Sequence, residues 1–172
     1  KSRVKSIDEF DEMSRGYLIS NQDTKRLEFP NDSIDYIFTD PPYGDSVPYF
    51  EQSALWNTWL GFSVDYENEV VISDSKERNK KSEHFTAEIG ACINEIHRVL
   101  KEEHYFSITF HSLSGSEWYA LTRACLESGF LLEDLQWLTQ KTFAPRQLNR
   151  KKTVKGDVLL TLCVCGGGGT GG

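Results

Sequence analysis

The chain has 172 residues, enough for one domain with its own core. Acidic residues outnumber basic ones 26 to 19, for a formal net charge of -7, which argues against a protein that coats nucleic acid by bulk charge but not against an enzyme with a local basic patch. No apolar run is long enough to cross a bilayer and nothing at the start resembles a secretion signal, so the expected address is the cytoplasm, with no membrane partner.

At the start, Ile7, Phe10 and Met13 recur at threes, as in a helix end that Gly16 breaks. Tyr17 to Ser20 reads as a strand whose end carries Asp23. A turn-rich connector, Leu27 to Ser33, leads into a strong strand, Ile34 to Thr39. That strand runs straight into Asp40-Pro41-Pro42-Tyr43-Gly44, where two prolines without N–H groups stop the ladder.

Phe50 to Leu60 is aromatic-rich and reads as a helix, with Trp56 and Trp59 as core or lid packing. Residues 61–81 show no period and much charge, the pattern of a mobile loop or insertion. Phe85, Ile89, Cys92, Ile93, Ile96, Val99 and Leu100 then fall on one helical face, with Ser82 as the expected cap. A strand over Tyr105 to Phe110 follows, then a helix from Ser114 to Ser128 ending at Gly129. The chain finishes with a strand over Phe130 to Leu138, a polar basic loop over 140–155, a strand over Asp157 to Cys165, and a glycine tail.

Alternating strands and helices predict a parallel α/β sheet. The last two strands have no helix between them and are expected to pair antiparallel. Cys92, Cys125, Cys163 and Cys165 contain no C-x-x-C spacing, so no metal site is expected and buried reduced thiols are.

Asp40 to Tyr43 carries the chemistry. It lies at the carboxyl end of a strand, where open α/β sheets place their sites. An exocyclic amino group is a poor nucleophile because its lone pair is delocalised into the ring. Accepting hydrogen bonds from both of its protons, one at the Asp40 carboxylate and one at the Pro41 carbonyl, pulls the nitrogen toward a tetrahedral form and frees the lone pair. The prolines fix those acceptors in advance. Tyr43 offers a flat face on which an extruded base can stack. The plainer reading is a proline-braked turn or a proline-rich ligand, but a ligand motif belongs in a disordered segment rather than at the end of an apolar strand.

The segment Ile34 to Gly44 resembles motif IV of the amino-methyltransferase family, the DNA N6-adenine and N4-cytosine methylases. Asp45 to Glu51 with Trp56 and Trp59 resembles one bacterial branch of it. His97 to Lys101, Phe143-Ala144-Pro145 and Val154 to Leu160 resemble later family segments, so the likeness runs from about Tyr17 to about Val164. The resemblance implies a Rossmann-like fold dependent on S-adenosyl-L-methionine, with a mostly parallel sheet and an antiparallel last strand. It implies catalytic roles for Asp40, Pro41, Pro42 and Tyr43, and cofactor contacts from Asp23 and Asp40. Tyr43 and Phe143 would flank the target base, and Arg146, Lys151 and Lys152 would contact DNA phosphates. Arg150 and Lys155 lie in the same basic cluster, which otherwise is a solvated loop. For Asp23 the plainer reading is a strand-end Asx turn, and for Phe143 a core plug.

The family's glycine-rich cofactor loop has no counterpart before Asp40. The resemblance therefore implies that the N-terminal strands are missing and that residues 1–165 form a partial catalytic domain. It would be completed by another part of the same polypeptide or by a second subunit. The tail over 166–172 faintly resembles that loop, but no Asp-Pro-Phe precedes it and no helix follows, which favours a linker.

The function this sequence points to is site-specific methylation of DNA, adenine N6 first, as in restriction-modification. An RNA base amino-methyltransferase and a non-catalytic, methylase-like nucleic-acid-binding subunit are the alternatives.

Overall fold

The structure, a computed structural model, describes residues 2–3, 16–45, 47–76, 78–111, 115–138 and 157–165. Two short strands, β1 (Ser2–Arg3) and β2 (Gly16–Tyr17), pair in parallel. β3 (Ile34–Thr39), β4 (Leu100–Phe110), β5 (Phe130–Leu138) and β6 (Asp157–Val164) form a second sheet in the order β3-β4-β6-β5. Helices α1 (Tyr49–Leu60) and α2 (Ser82–Val99) lie between β3 and β4, and α3 (Gly115–Glu127) between β4 and β5.

β3 and β4 run parallel, whereas β6 is antiparallel to both of its neighbours. This is the mixed α/β sheet that the sequence predicts. The expected helix near Ile7, Phe10 and Met13, the basic loop and the glycine tail lie outside the described residues.

The core forms because three periodicities converge on one face of the sheet. β6 alternates strictly, burying Val158, Leu160, Leu162 and Val164. The same face of β4 contributes Phe106, Ile108 and Phe110. Against it α2 lays Phe85, Ile89, Ile93 and Ile96, and α3 lays Ala120, Leu121, Ala124 and Cys125. Each large side chain so buried stabilises the fold by about 1.5–3 kcal/mol. On the opposite face Tyr36, Phe38, Tyr105 and Leu131 are exposed.

Polar contacts fasten the connector before β3 to α2. Arg98 donates to the carbonyls of Leu27 (3.1 Å) and Phe29 (3.0 Å), and Glu95 accepts the Leu27 N–H at 2.7 Å. Lys25 meets Glu88 at 2.5 Å. These bonds set where Asp23 sits.

Several elements differ from the sequence reading. The strand expected over Tyr17 to Ser20 is, among the described residues, a ladder only over Gly16–Tyr17. β4 begins at Leu100, ahead of Tyr105, because Leu100 pairs with Ile34 before the register shifts. Glu103 takes up that irregularity at φ 60. Lys81, not Ser82, is the N-cap residue of α2, and it makes no side-chain cap. α1 buries nothing: Trp56 and Trp59 are exposed and pack on each other, edge to face at 5.4 Å. Of the described residues between 61 and 81, most are exposed, but Glu69, Val71 and Lys80 are buried.

All four thiols are free. Burial pushes Cys92 up to about 11 and Cys125 up to about 12, whereas Cys165 is exposed, correcting the expectation that all are buried. Maleimide at about pH 8 should therefore label Cys165 in the native protein and leave Cys92 and Cys125 until unfolding, because the thiolate is the reactive form. Peptide mass spectrometry reads the order; equal labelling of Cys125 and Cys165 would contradict the packing.

Candidate active site

Asp40 leaves the carboxyl end of β3, and the register of β3 with β4 decides its neighbours. Thr39 pairs with Ile108, so the next residues, Asp40 and Thr109, lie side by side. Thr109 Oγ1 donates to Asp40 Oδ1 at 2.9 Å. The Tyr43 hydroxyl donates to the same oxygen. Asp40 Oδ2 has no partner among the described residues.

Tyr43 is half-buried, its ring edge-on to Phe110 at 5.7 Å and to His111 at 6.1 Å. Burial, then the hydrogen bond and charge of Asp40, push its phenol far above the ordinary value, so it remains a proton donor throughout the working range. Its backbone N–H donates to the hydroxyl of Tyr49, the first residue of α1, at 3.4 Å. Further out, His111 Nδ1 lies 3.0 Å from Asp157 Oδ1.

The turn after Tyr43 requires glycine. Gly44 has φ 70, and a Cβ there would stand 2.8 Å from Oε1 of the buried Glu117 on α3. The Gly44 carbonyl accepts the Ile72 N–H at 3.3 Å.

A cavity of about 700 Å³ opens in front of Asp40. Asp23, Thr39, Asp40 and Pro41 line one side, Ser53 and Asn57 of α1 another, and Ile89, Ile93 and Ile96 of α2 its apolar depth. Its volume is that of a small-molecule site. Asp23 makes the Asx-type turn, accepting the Lys25 N–H at 3.0 Å, while also standing on the rim.

The structure thus brings Asp23, Asp40, Pro41 and Pro42 to one cavity, with Tyr43 bonded to Asp40. Phe143, Arg146, Lys151 and Lys152 lie outside the described residues. Sequence reading missed Thr109, Tyr49 and the wall built by residues 62–70. Thr109 was findable, because it sits on a predicted strand adjacent to that of Asp40; the wall had no periodic signal.

No protein-family model matches the chain, and no curated protein does. Solved structures do. A presumed DNA modification methylase of Thermus thermophilus, complexed with S-adenosyl-L-methionine, superposes with TM-score 0.52 at 15% identity, over 87% of this chain and 56% of that one. PvuII DNA methyltransferase, cytosine-N4-specific, gives 0.50 at 14% identity, over 79% and 44%. The likeness is one of fold. The chain spans about half the length of these structures.

Gly44→Ala should cost at least about 1 kcal/mol, from left-handed strain and displacement of Glu117. Urea denaturation checks it; an unchanged midpoint would mean that the turn adopts another conformation.

Proposed function

We propose that the chain is the catalytic part of an S-adenosylmethionine-dependent methyltransferase acting on the exocyclic amino group of a base in DNA, adenine N6 first. The observation that carries the reading is the state of Asp40. Two donors hold one carboxylate oxygen, the other has no partner among the described residues, and the residue lines a ligand-sized cavity shared with Asp23.

The residues fit the cofactor. A cationic nucleoside suits a cavity lined by the carboxylates of Asp23, Asp40 and Asp65, beside the Arg78-paired Glu69, and by an apolar wall from Ile89, Ile93 and Ile96. Asp23 and Asp40 would hold it, and the group supplies the methyl. Asp40 Oδ2 and the Pro41 carbonyl each accept a hydrogen bond from one N–H of the target amino group, which frees its lone pair and raises its nucleophilicity. Thr109 and Tyr43 keep the carboxylate from turning away. Tyr43 and Phe143 flank the extruded base. Adenine over cytosine rests on the aspartate at the first position of the motif, where serine is commoner in the family's cytosine enzymes.

Phosphates must be gripped elsewhere. From Leu27 to Ser75 the chain has no Lys or Arg. Arg146, Lys151 and Lys152 form the cluster suited to that task. β3 pairs only with β4 among the described residues, leaving an edge for another part of the polypeptide or a second subunit that brings the glycine loop.

In the full-length protein, Asp40→Ala should slow single-turnover methylation of duplex DNA at least about a hundredfold, with DNA affinity little changed, since the lost interaction strengthens in the transition state. Asp40→Asn, which keeps a carbonyl acceptor, should fall between. Nucleoside mass spectrometry identifies the methylated base. Equal rates for wild type and Asp40→Ala would remove Asp40 from the mechanism, methylation of transfer RNA alone would favour the RNA reading, and no methylation would favour the binding subunit.

Lys151→Ala with Lys152→Ala should weaken DNA binding at all sequences alike and flatten its salt dependence, because phosphate contacts release counterions. An unchanged slope would return the loop to solvent.

A further inference from the structure

The segment between α1 and α2 is tied to the turn that follows Asp40. α1 starts at Tyr49 behind Pro48, whose side chain cannot cap the orphan N–H groups of a helix end. Glu69 does so from outside: its Oε1 accepts the Phe50 N–H at 3.2 Å. Glu69 is only 4% exposed. Its other oxygen lies 2.7 Å from Arg78 Nη1, an ion pair without the alignment of a hydrogen bond.

Arg78 reaches back with Nη2 to Glu51 Oε1 at 2.6 Å, on the first turn of α1. Its guanidinium lies 4.6 Å over the Tyr66 ring, which meets Phe50 at 5.7 Å. Lys80 closes the base of the segment, donating to the carbonyls of Glu67 at 2.8 Å and Glu69 at 2.6 Å. The same segment holds the other end of the turn, where Ile72 N–H meets the Gly44 carbonyl. That segment therefore holds the turn at Gly44 and the start of α1 at Phe50. Between those two points, Tyr49 holds the backbone of Tyr43, whose hydroxyl holds Asp40.

We infer that Glu69 and Arg78 are positioning residues for the motif turn: their buried ion pair caps α1 from outside and thereby sets Tyr49, Tyr43 and Asp40. A buried pair that gave only stability would be replaceable by apolar side chains. This one is joined to the turn by the Phe50 bond, so an apolar replacement frees the turn even where the fold survives. The effect on activity rests on the methylase reading; the effect on the turn does not.

The test compares wild type, Glu69→Leu and Glu69→Gln by hydrogen exchange and by single-turnover methylation in the full-length protein. Exchange of the amides between Tyr43 and Gln52 should rise at least about tenfold in Glu69→Leu, and less in Glu69→Gln, which keeps an acceptor for the Phe50 N–H. Amides of β4 and β6 should keep their rates. Turnover should fall in the same order, with half-saturating DNA concentration changed by less than about twofold, because the turn orients Asp40 rather than binding phosphates. Unchanged exchange between Tyr43 and Gln52 would overturn the inference, and so would a rise shared equally by β4. If Glu69→Leu fails to fold, Glu69→Gln decides by the same exchange comparison. If the wild type methylates nothing, the methylase reading fails while the exchange result still decides the positioning role.

Discussion

The parallel pairing of β3 with β4 is the constraint on which the site depends. Thr39 stands opposite Ile108, so Asp40 and Thr109 meet where the strands end. A slip of one residue would turn Thr109 to the other face and separate the two. What forbids the slip is the core. Phe106, Ile108 and Phe110 alternate inward on β4, and the same alternation recurs on β6, which pairs with it along most of its length. A one-residue slip would expose this face and bury Tyr105 and Thr109 instead. The position of one carboxylate oxygen is thus set through the register by several large apolar side chains of β4.

What the sequence made legible is what short-range pattern encodes. The strand ending in Asp40-Pro41-Pro42-Tyr43, the amphipathic stripe of α2 and the antiparallel ending each rest on spacings of a few residues, and each is found. The partners of Asp40 were less legible, because Thr109 is 69 positions away and becomes a neighbour only once the register is known. The segment over 61–81 was hidden for a different reason. Its order comes from a buried ion pair and from side chains bonding backbone groups, which leave no periodic trace. Charge in a stretch without period reads as solvated, yet Glu69 and Lys80 are both buried. The exposed tryptophans of α1 erred the other way: large apolar residues at helical spacing imply a core that α1 does not enter.

Asp40 is also defined by what is not near it. Two neutral hydroxyls hold it, and no cation pairs with it among the described residues. Hydroxyl donors orient a carboxylate without cancelling its charge, whereas an ion pair would spend that charge locally. Because both donors bind one oxygen, rotation is arrested before any ligand arrives, and the second oxygen is left oriented as a hydrogen-bond acceptor. The stretch from Leu27 to Ser75 contributes no cation of its own, and Arg78, Lys81 and Lys101 are taken up by Glu51, Glu69, Asp74 and Asp35, so the Asp40 carboxylate repels a phosphate more than a neutral base. On the methylase reading this asymmetry favours a base drawn away from its own phosphates. On that reading the strand is gripped at one place and the base methylated at another, the two joined by an extruded nucleotide.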